Sequence, residues 1–77
     1  MASVTMNAPM TGRIIEINVA EGDSVTVGDM LVVIESMKME NEVASPAAGV
    51  VSEVRAAAGS SVEAGGVLVV VRVERHD

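Results

Sequence analysis

A constant offset of 37 residues lays the second half of this chain on the first without a gap. Ala8–Ser36 falls on Ser45–Val73, with Pro9 on Pro46, Gly12 on Gly49 and Glu16 on Glu53. Ala20-x-Gly22-x-Ser24-Val25 falls on Ala57-x-Gly59-x-Ser61-Val62, Gly28 on Gly65, and Leu31-Val32-Val33 on Leu68-Val69-Val70. Conservative pairs such as Ile17/Val54 and Ile34/Val71 complete the match. Val- and Ala-rich sequences resemble themselves easily, but fixed prolines and glycines do not. Each copy must therefore be a unit that cannot bury its own apolar face alone.

Each copy reads as short strands joined by tight turns. Arg13–Val19 is rich in β-branched residues, as strands are. Glu21-Gly22-Asp23 and Val27-Gly28-Asp29 are turn chemistry. Met30–Glu35 and its counterpart Val67–Val73 are apolar runs suited to core strands, and Ser24–Val27 has room for a brief strand. Only Ala56-Ala57-Ala58 hints at helix, and Gly59 ends it. The predicted fold is all-β: a small flattened β-sandwich or barrel of two quasi-symmetric repeats about a pseudo-two-fold axis. One domain should occupy residues 1–77, with an ordered core over about 4–73. So short a chain buries only about 60% of its unfolded surface, so single core truncations should cost roughly 1–4 kcal/mol.

Composition removes most alternatives. There is no cysteine, hence no disulfide and no thiolate metal site, and the lone His76 is the second-last residue. No aromatic side chain is present to act as a phenolic acid or a stacking platform. Independent catalysis is not expected. A net charge of −6 disfavours nucleic acid. The longest apolar runs are far too short to span a bilayer, and the start lacks a basic segment followed by an apolar one. The expectation is a cytoplasmic protein with no membrane partner.

The repeat leaves over the connector Met37–Ala44. Strand Met30–Ser36 leads in, a strand Glu40–Ala44 leads out, and Met37-Lys38 caps the hairpin. Two-residue hairpin turns need positive φ and favour Asn-Gly or Gly-X, so a Met-Lys tip breaks the local rule. Such places are candidates for function. Lys38 is the only lysine in the chain. Its repeat equivalent is Arg75, at the chain end, so the pseudo-symmetry places the two exits at opposite ends. By itself a lone exposed lysine is an ordinary solubilising charge, and methionines ordinarily fill gaps or line adaptable surfaces.

The string Glu35-Ser36-Met37-Lys38-Met39-Glu40 resembles the attachment site of the biotinyl (biotin carboxyl carrier) domain family. Ala8-Pro9-Met10-Thr11-Gly12 is similar to the family's entry segment. Glu21-Gly22-Asp23-x-Val25-x-x-Gly28 is similar to its turns, and Ser45-Pro46-x-x-Gly49 to its return segment. The likeness runs from about Val4 to Val73. Ser36 stands where the family most often has Ala, and Ser60 and Gly66 replace Asp23 and Asp29 of the first copy, so less regular turns are expected there. No insertion leaves room for the protruding thumb of some family members. The start at Met1 and the charged end Glu74–Asp77 favour a free-standing subunit over an excised domain.

The resemblance implies that biotin is joined covalently to Lys38 by a biotin protein ligase. It also implies partners, a biotin carboxylase and a carboxyltransferase subunit, between whose sites carboxyl is carried, the acceptor being an acyl-CoA in the first instance. The chain itself would be a non-catalytic carrier. Met37 and Met39 frame the acceptor, and Glu35 and Glu40 are candidate ligase contacts or plain solvated charges. Pro46 and Gly49 read as structural. The Gly22/Asp23/Gly28/Asp29 loop lacks the ligand spacing of a calcium site and reads as turns, with no metal expected. Two alternatives stay open. One is a lipoyl carrier, whose family shares the fold but usually carries Asp-Lys-Ala at the tip. The other is an unmodified adaptor that reuses the sandwich.

Overall fold

The computed structural model describes residues 2–73. Eight strands follow one another: β1 Ala2–Asn7, β2 Gly12–Ile17, β3 Ser24–Val25, β4 Met30–Ser36, β5 Met39–Ala44, β6 Gly49–Val54, β7 Ser61–Val62 and β8 Val67–Val73. They form two four-stranded antiparallel sheets, ordered β1-β8-β6-β3 and β5-β4-β2-β7. No described residue is helical, and Ala56–Ala58 is irregular.

The offset of 37 residues carries β1 onto β5, β2 onto β6, β3 onto β7 and β4 onto β8, residue for residue. The repeat is therefore larger than the sequence match suggests. The outgoing strand of the connector is not left over from it. Met39–Ala44 is the structural counterpart of Ala2–Asn7; their sequences differ at every position, but the equivalent Met6 and Val43 both turn toward the core. Strand β1 pairs with β8 from Ala2↔Val73 to Asn7↔Val67.

The turns obey the same symmetry. Gly22 and Gly28 have φ of 93°, and their counterparts Gly59 and Gly65 have 88° and 89°. The Gly28 N–H donates to the Ser45 carbonyl at 2.9 Å, and the Gly65 N–H to the Ala8 carbonyl at 2.8 Å. The expectation of less regular turns in the second copy is thus corrected. Where the Asp23 carboxylate accepts from the Ala20 N–H, the Ser60 hydroxyl instead donates to the Ala57 carbonyl at 2.6 Å. Gly66 sits where a Cβ would press on Val62 and the Glu63 carbonyl.

The core lies between the sheets. Met6, Ile14, Val25, Leu31, Val32, Ile34, Val51, Leu68, Val69 and Val71 form one buried cluster, drawn from both copies. Strand alternation produces it: in β2 Ile14 is buried and its neighbour Ile15 is exposed. Four register shifts, between Met6 and Asn7, Ile14 and Glu16, Met30 and Val32, and Val51 and Glu53, bend the strands around this core.

Candidate functional site

The β4–β5 hairpin is built for rigidity up to its last two residues. Its pairing runs from Met30↔Ala44 to Ser36↔Met39, leaving Met37 and Lys38 alone as the turn. Both have positive φ, 53° and 65°, and they are the only described non-glycine residues that do. A left-handed conformation at a residue with a Cβ costs about 1–2 kcal/mol. The hairpin tolerates it because β4 is buried from Leu31 to Ile34 and cannot shift register without turning its apolar set out of the core.

Two contacts fasten the base of the tip, and sequence reading missed both. The Ser36 hydroxyl donates to the Thr11 carbonyl at 3.0 Å, and the Ala64 N–H donates to the Thr11 hydroxyl oxygen at 3.1 Å. Gly12, next in the chain, packs so closely that a Cβ there would meet the Glu35 carbonyl and the Ile34 side chain. The repeat holds the signal that could have revealed these residues. Thr11 and Ser36 fall on Ala48 and Val73, so polar groups stand at the lysine end where the other end has apolar ones.

Lys38 is exposed, as are Met37 and Met39 on either side, at 92% and 65%. Among the described residues Lys38 has no hydrogen-bond or ion-pair partner; the single ion pair is Arg55–Glu53 at 3.0 Å. Its amine is held away from the body and is open to approach. Glu35 and Glu40 lie directly opposite each other across the hairpin, one pair below the tip. Like charges so placed repel. Arg13 is Glu35's neighbour on the other side. The structure thus brings all five residues singled out in the sequence to one end of the molecule. Ala2 and Val73, the first and last described residues, pair at the other end. Five steps of β1, about 17 Å at 3.3 Å per residue, separate the level of Asn7 from theirs. Arg75, the counterpart of Lys38, lies outside the described residues.

A cleft of about 340 Å³ is lined by Asn18, Asp23, Asp29, Met30 and their neighbours, away from the tip. Its carboxylates are engaged: Asp23 accepts from the Ala20 N–H at 2.9 Å, and Asp29 from the Thr26 N–H at 2.8 Å. They close turns. No helix among the described residues is long and apolar enough to cross a membrane.

The site is thus a small two-sheet domain that presents its one lysine, exposed, on a strained hairpin tip. The family described as biotin-requiring enzymes matches residues 4–71, and the chain belongs to that family as a biotinyl domain. The glutaconyl-CoA decarboxylase subunit gamma of Acidaminococcus fermentans is 54% identical over 41 residues, which are 53% of this chain and 28% of that protein. The biotin carboxyl carrier protein of Streptococcus mutans is 46% identical over 44 residues, 57% of this chain and 34% of that one. A single-chain, multi-domain long-chain acyl-CoA carboxylase superposes with a TM-score of 0.85 at 32% identity, covering 94% of this chain and 7% of the larger one. The urea carboxylase of Kluyveromyces lactis does so with a TM-score of 0.86 at 32% identity, covering 94% of this chain and 6% of that one. The chain thus spans about a third or less of these relatives.

Proposed function

We propose that this chain is a biotin carboxyl carrier in which Lys38 is the attachment residue, modified by a biotin protein ligase. The observation that carries the reading is the tip itself. The only lysine of the chain occupies a left-handed position, exposed and without a partner among the described residues. A place where local preference is overridden without any gain in packing calls for a functional reason.

The residues fit the group. Lys38 would hold biotin covalently, through an amide between its exposed amine and the biotin carboxyl. When bound, biotin supplies a ring nitrogen that can carry a carboxyl group. Everything else the chain does is positional. The hairpin holds the Lys38 Cα at the outermost point of β4 and β5. The Ser36–Thr11 hydrogen bond limits bending at its base. Met37 and Met39 offer apolar contact to enzymes that receive the tip, and Glu35 and Glu40 are candidate contacts for the ligase. As a mobile carrier the chain raises the local concentration of the carried group at each site, on the order of mM for a suitable tether. It catalyses neither carboxylation of the carrier nor transfer to the acceptor. Those steps belong to a biotin carboxylase and a carboxyltransferase. The acceptor we favour is an acyl-CoA, in line with the likeness of the chain to part of a long-chain acyl-CoA carboxylase.

The test is the intact mass of the chain after treatment with biotin protein ligase, biotin and ATP, beside a Lys38→Arg control, with allowance for removal of the initiator methionine. We expect a biotin-sized increment in the first and none in the second. A lipoyl-sized increment on protein from its own cells would move the chain to the lipoyl carriers, and no increment under either condition would make it an adaptor.

A further inference from the structure

The six methionines divide sharply by environment. Met6 is in the core at 3% exposure, whereas Met37 and Met39 are 92% and 65% exposed. Met10 and Met30 are half-buried, Met10 against the core and Met30 with its sulfur 3.1 Å from the Asn18 amide nitrogen. Met1 lies outside the described residues. The two most accessible thioethers of the described chain therefore stand immediately before and after the one lysine. The chain holds no cysteine to compete for an oxidant. Exposure governs which methionines are oxidised, and the product is reversible by reductases.

We propose that Met37 and Met39 form a reversible oxidation site that controls modification of Lys38; the inference rests on the carrier reading. The oxidant is hydrogen peroxide. A sulfur lone pair attacks one peroxide oxygen, the S–O bond forms and the O–O bond breaks. The departing hydroxide takes the proton from the oxygen now on sulfur and leaves as water, and the sulfur is oxidised by two electrons. The reverse step uses two thiols, which become a disulfide as the sulfoxide oxygen leaves as water.

The consequence follows from the size of the tip. With Ser36↔Met39 as the last pair, any enzyme that seats the Lys38 amine in a pocket must also cover the residues on either side. A thioether enters such a contact without loss. A sulfoxide is polar and brings a strong acceptor that must be stripped of water and left without a partner. Neither sulfur belongs to the core cluster, so oxidation leaves the fold in place.

The experiment uses the whole chain. Hydrogen peroxide is applied and then removed with catalase and desalting, so that the ligase is never exposed to it. Cleavage after Arg13, Lys38 and Arg55 isolates Met39, and fragment sequencing in the mass spectrometer resolves Met37 from Met30 and Met6 from Met1 and Met10. We expect Met37 and Met39 to gain oxygen at least tenfold faster than Met6, with an unchanged far-UV circular dichroism spectrum. Biotin transfer by the ligase should slow at least tenfold, and methionine sulfoxide reductase with dithiothreitol should restore it. A Met37→Leu/Met39→Leu chain, whatever its own rate, should show no peroxide effect. Equal oxidation of all methionines, or equal labelling before and after oxidation, overturns the inference while leaving the carrier reading intact. If the untreated chain takes no biotin, the carrier reading falls, and the control over labelling falls with it.

Discussion

At the residue scale the decisive facts are two backbone angles. Met37 and Lys38 adopt φ of 53° and 65° although neither is a residue that favours them. The strain was legible in the sequence only as an absence, since a hairpin tip without Asn or Gly has the wrong chemistry. Replacing the tip by Met37→Asn/Lys38→Gly should relieve it. We expect about 1 kcal/mol of added stability by urea titration followed by circular dichroism, the chain having no aromatic signal, together with complete loss of labelling. The position of the amine is equally specific. Residue 39 already pairs with Ser36 as the first residue of β5. Moving the lysine there, as Lys38→Met/Met39→Lys, points it to a face of the sheet rather than off the tip. Labelling of that variant by ligase should fall at least tenfold with an unchanged melting temperature, and efficient labelling would refute a role for tip geometry.

At the element scale the repeat supplies its own control. Gly12 and Gly49 are equivalent, and a Cβ at either would meet a backbone carbonyl, that of Glu35 or of Arg72. Gly12→Ala and Gly49→Ala should each cost about 2 kcal/mol by overpacking, measured by urea unfolding. Their effects on labelling should differ. Gly12 abuts the base of the lysine hairpin, so its variant should be biotinylated several-fold more slowly at a temperature where both are folded. Gly49 abuts β8 at the far end, and its variant should label at the normal rate. The strands themselves were readable from β-branched runs and turn residues. Strand β1 was not, because Ala2–Asn7 has weak strand preferences and is extended chiefly by its pairing with β8. The Ser36–Thr11 contact was hidden for a related reason: it joins residues 25 apart, and no local pattern announces it.

At the scale of the whole molecule the two copies are interlaced. Each sheet takes two strands from each half: β1 and β3 with β6 and β8, β2 and β4 with β5 and β7. Neither half contains a complete sheet, and the pairing of Ala2 with Val73 closes nearly the entire chain. The stability of the fold is therefore a property of both copies together. Peptides 1–37 and 38–77 should each be unfolded by circular dichroism, and an equimolar mixture should recover strand signal. A folded isolated half would contradict the interlaced arrangement. The same interlacing explains how one fold has two unlike ends. The copies are alike where they build the core and differ at Thr11 against Ala48 and Ser36 against Val73, beside the hairpin that carries Lys38.

The amino-acid sequence by itself determined the duplicated all-β architecture, the family and the singular position of Lys38. Those depend on periodic and local features: fixed prolines and glycines, β-branched runs, and a motif six residues long. Only the tertiary structure decided that β1 completes the repeat. It also decided that the tip is held in left-handed strain by a buried β4 and that Thr11 and Gly12 brace it from a distant segment. Those depend on hydrogen bonds and packing between residues far apart in the chain, which no local pattern specifies.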